Sequence, residues 1–325
     1  MPVTAIELAA RIREAYGRIK GDIRRTPVDR SDSLSRETGG EVFVKWECDQ
    51  TTGSFKLRGA LNKLRTLSPE DRTRGVVSAS TGNHGLAISH AARLEGVGLK
   101  LFLPETVADM KKARIEALGV DVEVRGASCD RAEAIARDFA GRTGRIFVSP
   151  YNDWDVVYGA GTIGLELDRD LARFDDILVP VGGGGLIAGI AAYLKAVRPG
   201  VRVVGVEPET SAFMAASLAA GRLVEFDERN TIADAVAGGI EPGAITFELC
   251  QDLVDGIEVV PEAAIARAMA LVREAQGRVI EGAAALPMAA FLSGRGRWAG
   301  RTVVAVASGG NIAPARFRAI TGLEP

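Results

Sequence analysis

The stretch DILVPVGGGGLIAGIAAYLKAV, residues 176–197, carries a β-branched run into a helical pattern through four consecutive glycines. The apolar run fits a strand covered on both faces, and the change of period after it fits a helix. Strand, glycine loop and helix in that order make one α/β unit. Consecutive glycines let backbone N–H groups approach an anion closely, and the following helix adds the positive end of its dipole. The loop therefore reads as a phosphate site, against the plainer reading of a tight strand-to-helix turn. Which phosphate is open at this point. Gly183, Gly185 and Ala188 fit GxGxxA, and Glu207 ends the next strand pattern, as in a dinucleotide fingerprint. An NAD-dependent dehydrogenase is accordingly one candidate.

The same alternation runs through the chain. EVFVKWE (41–47), GVVSAS (75–80), LKLFLP (99–104), VDVEVR (120–125) and RIFVSP (145–150) read as strands. So do DILVPVG (176–182), VRVVGVE (201–207), GIEVVP (256–261) and RTVVAVAS (301–308). Between them lie three- and four-residue apolar spacings, as in ADMKKARIEAL (108–118) and EAAIARAMALVREA (262–275). The chain is thus α/β, with mostly parallel sheets covered by helices. Ligands in such sheets sit at the carboxyl ends of strands. STGNHG, GGGG and SGGN each follow a strand pattern, which suggests one shared cleft.

At 325 residues the chain exceeds the size at which one core stops growing, so two lobes are expected. Forty basic against forty-two acidic residues argue against a nucleic-acid surface. Three scattered cysteines (Cys48, Cys129 and Cys250) and two histidines (His84 and His90) support neither a disulfide framework nor a metal site. The opening MPVTAIELAARIREAYGRIK is an amphipathic helix pattern, not a signal-peptide core, and no run approaches the ~20 apolar residues of a membrane span. The cytoplasm is the default expectation.

TTGSFKLRGA (51–60) sets Lys56 among small residues, with Gly53 and Ser54 before it and Gly59 after. That reads as a turn whose backbone is drawn in around a ligand that meets the amine. In SASTGNHG (78–85), Ser80, Thr81, Asn83 and His84 offer hydroxyls, an amide and backbone N–H groups to a carboxylate and a polar ring substituent. Helix capping by Ser80 or Thr81 is the alternative. His84 alone reads as a structural hydrogen-bonding residue, as does His90. In ASGGNI (307–312), Ser308 could donate to a ring nitrogen, or simply belong to a turn.

Taken in order, GSFKLRGA, STGNHG, PVGGGG and SGGN resemble the motifs of the fold-type II pyridoxal-phosphate enzymes, above all the threonine/serine dehydratases and the related serine racemases. The resemblance runs from about Arg25, in RRTPVDRSDSLS, to Asn311. It implies a two-lobed, tryptophan synthase β-like architecture. A large cofactor-binding domain would combine 1–74 with 150–325, and a small substrate-binding domain would span 75–149. It implies pyridoxal 5'-phosphate as cofactor, with Lys56 holding it as a Schiff base between Phe55 and Arg58. Asn83 would meet the ring hydroxyl, and Gly182, Gly183, Gly184, Gly185 and Leu186 would cup the phosphate. Ser308 would meet the pyridine nitrogen, with Glu281 near the ring unless it is merely a helix N-terminal carboxylate. Ser80, Thr81, Gly82 and His84 would bind the substrate carboxylate, Tyr151 would lie near cofactor or substrate, and Arg131 is a weaker candidate better read as a solvated surface residue.

The implied activity is dehydration and deamination of a β-hydroxy-α-amino acid, L-threonine or L-serine first, to a 2-oxo acid and ammonia. Lys56 would act at the Cα proton. Phenylserine, hydroxyaspartate and hydroxyectoine-pathway substrates stay open. Racemisation is the alternative, and Thr81 stands where the racemases carry a serine as second acid/base. Phe213 stands where some relatives have an aspartate cation ligand, so no metal is assigned beside Glu207. Ala160 replaces a glutamine common in the family. A homodimer is the family expectation.

Overall fold

The computed structural model describes residues 4–107, 109–294 and 296–325. Residues 1–3 and Ala108, which fall within two of the expected helical patterns, lie outside the described residues. In chain order the first half runs α1 (Ala5–Ile19), β1 (Val28–Arg30), α2 (Asp32–Thr38), β2 (Glu41–Trp46), α3 (Lys56–Arg65), α4 (Pro69–Arg74), β3 (Val76–Ala79), α5 (Asn83–Glu95), β4 (Leu99–Leu103), α6 (Asp109–Glu116), β5 (Asp121–Val124), α7 (Cys129–Thr143) and β6 (Ile146–Phe147). It continues with α8 (Trp154–Asp170), β7 (Asp176–Pro180), α9 (Gly185–Val197), β8 (Arg202–Pro208), α10 (Phe213–Ala220), α11 (Ile245–Leu253), β9 (Gly256–Val260), α12 (Glu262–Gln276), α13 (Gly282–Ser293), β10 (Thr302–Ala307) and α14 (Pro314–Thr321).

Two sheets form. One has six strands in the order β1-β2-β10-β7-β8-β9, the other four in the order β5-β4-β3-β6. Every pairing is parallel except β1 against β2, where Asp29 faces Val44. β1 is a short antiparallel edge that the apolar pattern does not mark. RIFVSP shrinks to a two-residue strand at the edge of the smaller sheet, bonded to β3 alone.

The two-residue alternation of strands explains the layering. In β10, Val304 and Val306 enter the core beneath α1, α8 and α9, while Val303, Ala305 and Ala307 enter the core beneath α12 and α13. In the smaller sheet, Val76 of β3 packs with α3 and α5, and Val77 and Ala79 pack toward α7. Leu57, Leu61 and Leu64 of α3 belong to that core, so it reaches back across residue 75.

Lys56 is the first residue of α3 and not part of an irregular turn. Gly59 lies inside that helix, where a Cβ would stand 2.8 Å from the Val156 carbonyl oxygen of α8. A Cβ on Gly159 would stand 2.6 Å from Gly59 Cα. The small residues here serve helix–helix contact. Beneath them lies a buried ionic cluster. Arg58 pairs with Glu47 and Glu166, Lys45 Nζ donates to Glu166 at 2.7 Å, and Thr26 donates to Glu47 at 2.5 Å. Burial opposes the charge on Arg58, yet the two carboxylates outweigh it and raise its pKa. The cluster ties the start of α3 to β2 and α8.

Candidate functional site

The carboxyl ends of β3, β7 and β10 and the start of α3 surround one cavity of about 490 Å³, within the range of about 300–1,000 Å³ common for small-molecule sites. Phe55, Lys56, Ser80, Thr81, Gly82, Asn83, His84, Tyr151, Gly182, Gly183, Gly184, Gly185, Leu186, Glu281 and Ser308 all line it. Residues separated by more than two hundred positions thus meet around one space. Arg131 does not line it; its backbone N–H donates to Ser128 at the start of α7, while Asp130 and Ala132 line the wall.

Lys56 Nζ donates to the Pro150 carbonyl at 2.8 Å. Burial pushes the amine down to about 8, against the opposing pull of the Glu281 carboxylate. A lysine held there loses its proton far more readily than one in water.

Of the helices that begin at this cavity without a side-chain cap, two are headed by glycine. α1, α2, α4, α7 and α8 begin with side-chain caps from Thr4, Ser31, Ser68, Ser128 and Asp153. α5 and α9 begin instead after Gly82 and Gly184, with no side-chain cap. Their first intrahelical bonds come from Leu86 N–H to Gly82 and from Ala188 N–H to Gly184. The N–H groups ahead of those, with the positive dipole ends behind them, suit anions at two places in one pocket.

The glycine loop has steric reasons for its composition. Gly184 has φ +85°, and a Cβ on Gly183 would lie 2.5 Å from the Tyr151 ring. Tyr151 is therefore the wall against which the loop rests. Its hydroxyl accepts the Glu241 N–H at 3.0 Å, and burial raises it to about 12, so it stays protonated. That engagement gives Tyr151 a structural duty beyond the expected ligand contact. Thr246 Oγ1 donates to the Gly183 carbonyl at 2.6 Å and fixes the loop from the other side.

One ring nitrogen of His84 is engaged. Its Nε2 meets Ser78 Oγ at 3.0 Å, Ser78 donates to Val148, and burial pushes the imidazole down to about 3. The ring is neutral and structural, so what His84 offers an anion is its backbone N–H in the first turn of α5. Asn83 donates through Nδ2 to Glu281 Oε1 at 2.6 Å and accepts from Asn311 Nδ2 at 2.7 Å. Ser308 is 4% exposed, and its carbonyl accepts the Phe55 N–H, which joins the end of β10 to the start of α3.

Glu207 does not serve a dinucleotide. Its carboxylate accepts the Met214 and Ala215 N–H groups at 2.9 and 2.7 Å at the start of α10, and burial raises it to about 7. Phe213 opens that helix. No cluster of three metal-ligating side chains occurs among the described residues. Ala160 is buried within α8.

Sequence reasoning assigned no role to Asn311, Arg114 or residues 234–239, all of which line the cavity. Asn311 ends the SGGN motif, the one signal that could have flagged it. The segment DAVAGG has small residues and no periodicity, so nothing in its pattern marks it.

The profile of the family described as pyridoxal-phosphate dependent enzymes matches residues 19–309. The chain is 42% identical over 301 residues to an L-threonine ammonia-lyase of Thermotoga maritima, covering 93% of this chain and 75% of that protein. It is 39% identical over 311 residues to the catabolic L-threonine dehydratase TdcB of Escherichia coli, covering 95% and 94%. The structure of maize serine racemase superposes with a TM-score of 0.90 at 33% identity, covering 94% of each chain.

Proposed function

Since the chain belongs to the family of pyridoxal-phosphate dependent enzymes, we propose that it dehydrates and deaminates a β-hydroxy-α-amino acid, L-threonine or L-serine, to a 2-oxo acid and ammonia. One observation carries this reading: a half-buried lysine amine shares its cavity with two glycine-headed helix N-termini. The residues fit the cofactor. Lys56 would hold its aldehyde carbon, Asn83 its ring oxygen and Ser308 its ring nitrogen. The glycine loop at the start of α9 would hold the phosphate, where backbone N–H groups suit a dianion. Bound there, pyridoxal phosphate supplies an electron-accepting ring to the α-carbon of an amino acid.

The chain's own residues do the rest. The start of α5, with Ser80, Thr81 and Gly82, binds and orients the substrate carboxylate. The lowered affinity of Lys56 for its proton suits it to take the proton from Cα. Ser308 brings a neutral hydroxyl to the ring nitrogen, where a carboxylate would hold a proton more firmly. That choice favours elimination over transamination.

The two L-threonine-directed relatives, at 42% and 39% identity, support dehydration as the main reaction. Thr81, which lines the same cavity, keeps racemisation as a second reading, supported by the likeness to a serine racemase. We assign residues 75–149, with the four-stranded sheet, to the substrate side, and 1–74 with 150–325 to the cofactor side. The proposal extends to a homodimer acting in the cytoplasm, which sedimentation and cell fractionation would check. Among the described residues no helix is long and apolar enough to cross a membrane.

The decisive experiment compares wild type with Lys56→Ala for a visible absorbance band and for 2-oxo acid release from L-threonine and L-serine. A band and turnover lost together in the variant support the reading. Turnover that survives Lys56→Ala overturns it.

A further inference from the structure

We propose that Asn311 is a positioning residue that decides which end of the Asn83 amide faces the cavity, a role that rests on the cofactor reading above. An asparagine amide has a donating and an accepting end of nearly equal shape, so its neighbours must choose between them. Asn311 Nδ2 donates to the Thr52 carbonyl at 2.9 Å, and a carbonyl only accepts. Asn311 Oδ1 accepts from Arg114 Nη2 at 3.2 Å, and a guanidinium only donates. Two partners of fixed polarity therefore set the Asn311 amide. Its remaining Nδ2 hydrogen goes to Asn83 Oδ1 at 2.7 Å, which turns Asn83 Nδ2 toward Glu281 Oε1 at 2.6 Å. Nδ2 carries two hydrogens. Glu281 takes one, and the other is the donor that Asn83 offers to a polar ring substituent.

Two motif glycines make room for this relay. Gly53 has φ +75°, and a Cβ there would stand 2.7 Å from Asn311 Oδ1. A Cβ on Gly309 would fall on Glu281 Oε1 and 3.1 Å from Asn83 Nδ2. Neither glycine lines the cavity. Gly53 and Gly309 are thus explained by the relay and not by contact with a ligand. Asn83 and Arg114 come from helices on the smaller sheet, whereas Thr52, Glu281 and Asn311 lie beside the larger one. The polarity of the amide is therefore set across the cleft.

A double-mutant cycle on cofactor affinity tests this, with pyridoxal phosphate titrated into each purified full-length variant and followed by its visible band. Asn311→Asp keeps the shape but removes both donated bonds. It should weaken binding about tenfold, the worth of one hydrogen bond to a charged group, and move the band maximum. In an Asn83→Ala background the same change should cost less than twofold and leave the maximum in place. Equal losses in both backgrounds overturn the proposal; the cavity reading then survives if Lys56→Ala in the same series abolishes the band. A wild-type band in Lys56→Ala overturns both. If the aspartate variant does not fold, Asn311→Ser repeats the cycle with the same non-additivity expected.

Discussion

Arg58 and Glu166, 108 positions apart and both fully buried, meet at 2.8 Å one helical half-turn from the cavity lysine. Glu47 accepts from the same guanidinium, and Lys45 shares Oε2 of Glu166 with it. Charges this deep hold only as a balanced set. Replacing Arg58 with Met leaves two carboxylates against one ammonium without water to solvate them. Stability should fall by about 3–5 kcal/mol, measured by urea unfolding. A second change, Glu47→Gln, should recover part of the loss, because it removes one orphaned charge.

Gly183→Ala should weaken pyridoxal phosphate binding by tenfold or more. The new methyl would lie 2.5 Å from the Tyr151 ring, so loop or ring must move. Gly200→Ala, where a Cβ meets nothing within 4 Å, should bind as the wild type does. Spectrophotometric titration of both variants checks the contrast.

His84 should make the fold acid-sensitive. Its imidazole stays neutral down to about pH 3 in the fold, from an ordinary value of 6.5. Between those values the unfolded chain binds more protons, so stability falls as the pH drops below 6.5. The loss from pH 7.5 to pH 5 should be about 2 kcal/mol for this one group. Urea unfolding of His84→Gln should show a shallower decline than wild type, with His90 common to both. Equal slopes would mean the imidazole takes up its proton without cost.

Thr81→Ala should separate the two reactions. Elimination from L-serine should persist within a few-fold, because the role proposed for Lys56 at Cα does not call on the Thr81 hydroxyl. Any D-serine formation should disappear with the hydroxyl. Chiral chromatography beside an oxo-acid assay reads both, and parallel losses would remove Thr81 from the racemisation role.

Much of this molecule was legible in its sequence, for identifiable reasons. The nine strands marked by β-branched runs all form; the clearest are β3, β7 and β10, because strands buried on both faces need continuous apolar residues. β1 escaped notice because VDR is three residues on an exposed edge, where no apolar alternation is required. Lys45 and Glu166 look like surface residues to any hydropathy count, yet both are fully buried. Their partners come from distant segments, which local pattern cannot report. Gly59 was visible as a glycine that mattered, but its neighbour is Val156 of α8 and not a ligand. The backbone groups of Asn83 and His84 were legible through the loop motif. The occupation of the His84 ring by Ser78 was not, since only the folded chain brings β3 and α5 together.

The bare starts of α5 and α9 come from opposite sheets, so neither sheet alone owns a complete charge trap. A molecule with one anionic end can satisfy either start but not both, whatever its chemistry in between. An anion at each start would therefore draw contacts from both sheets.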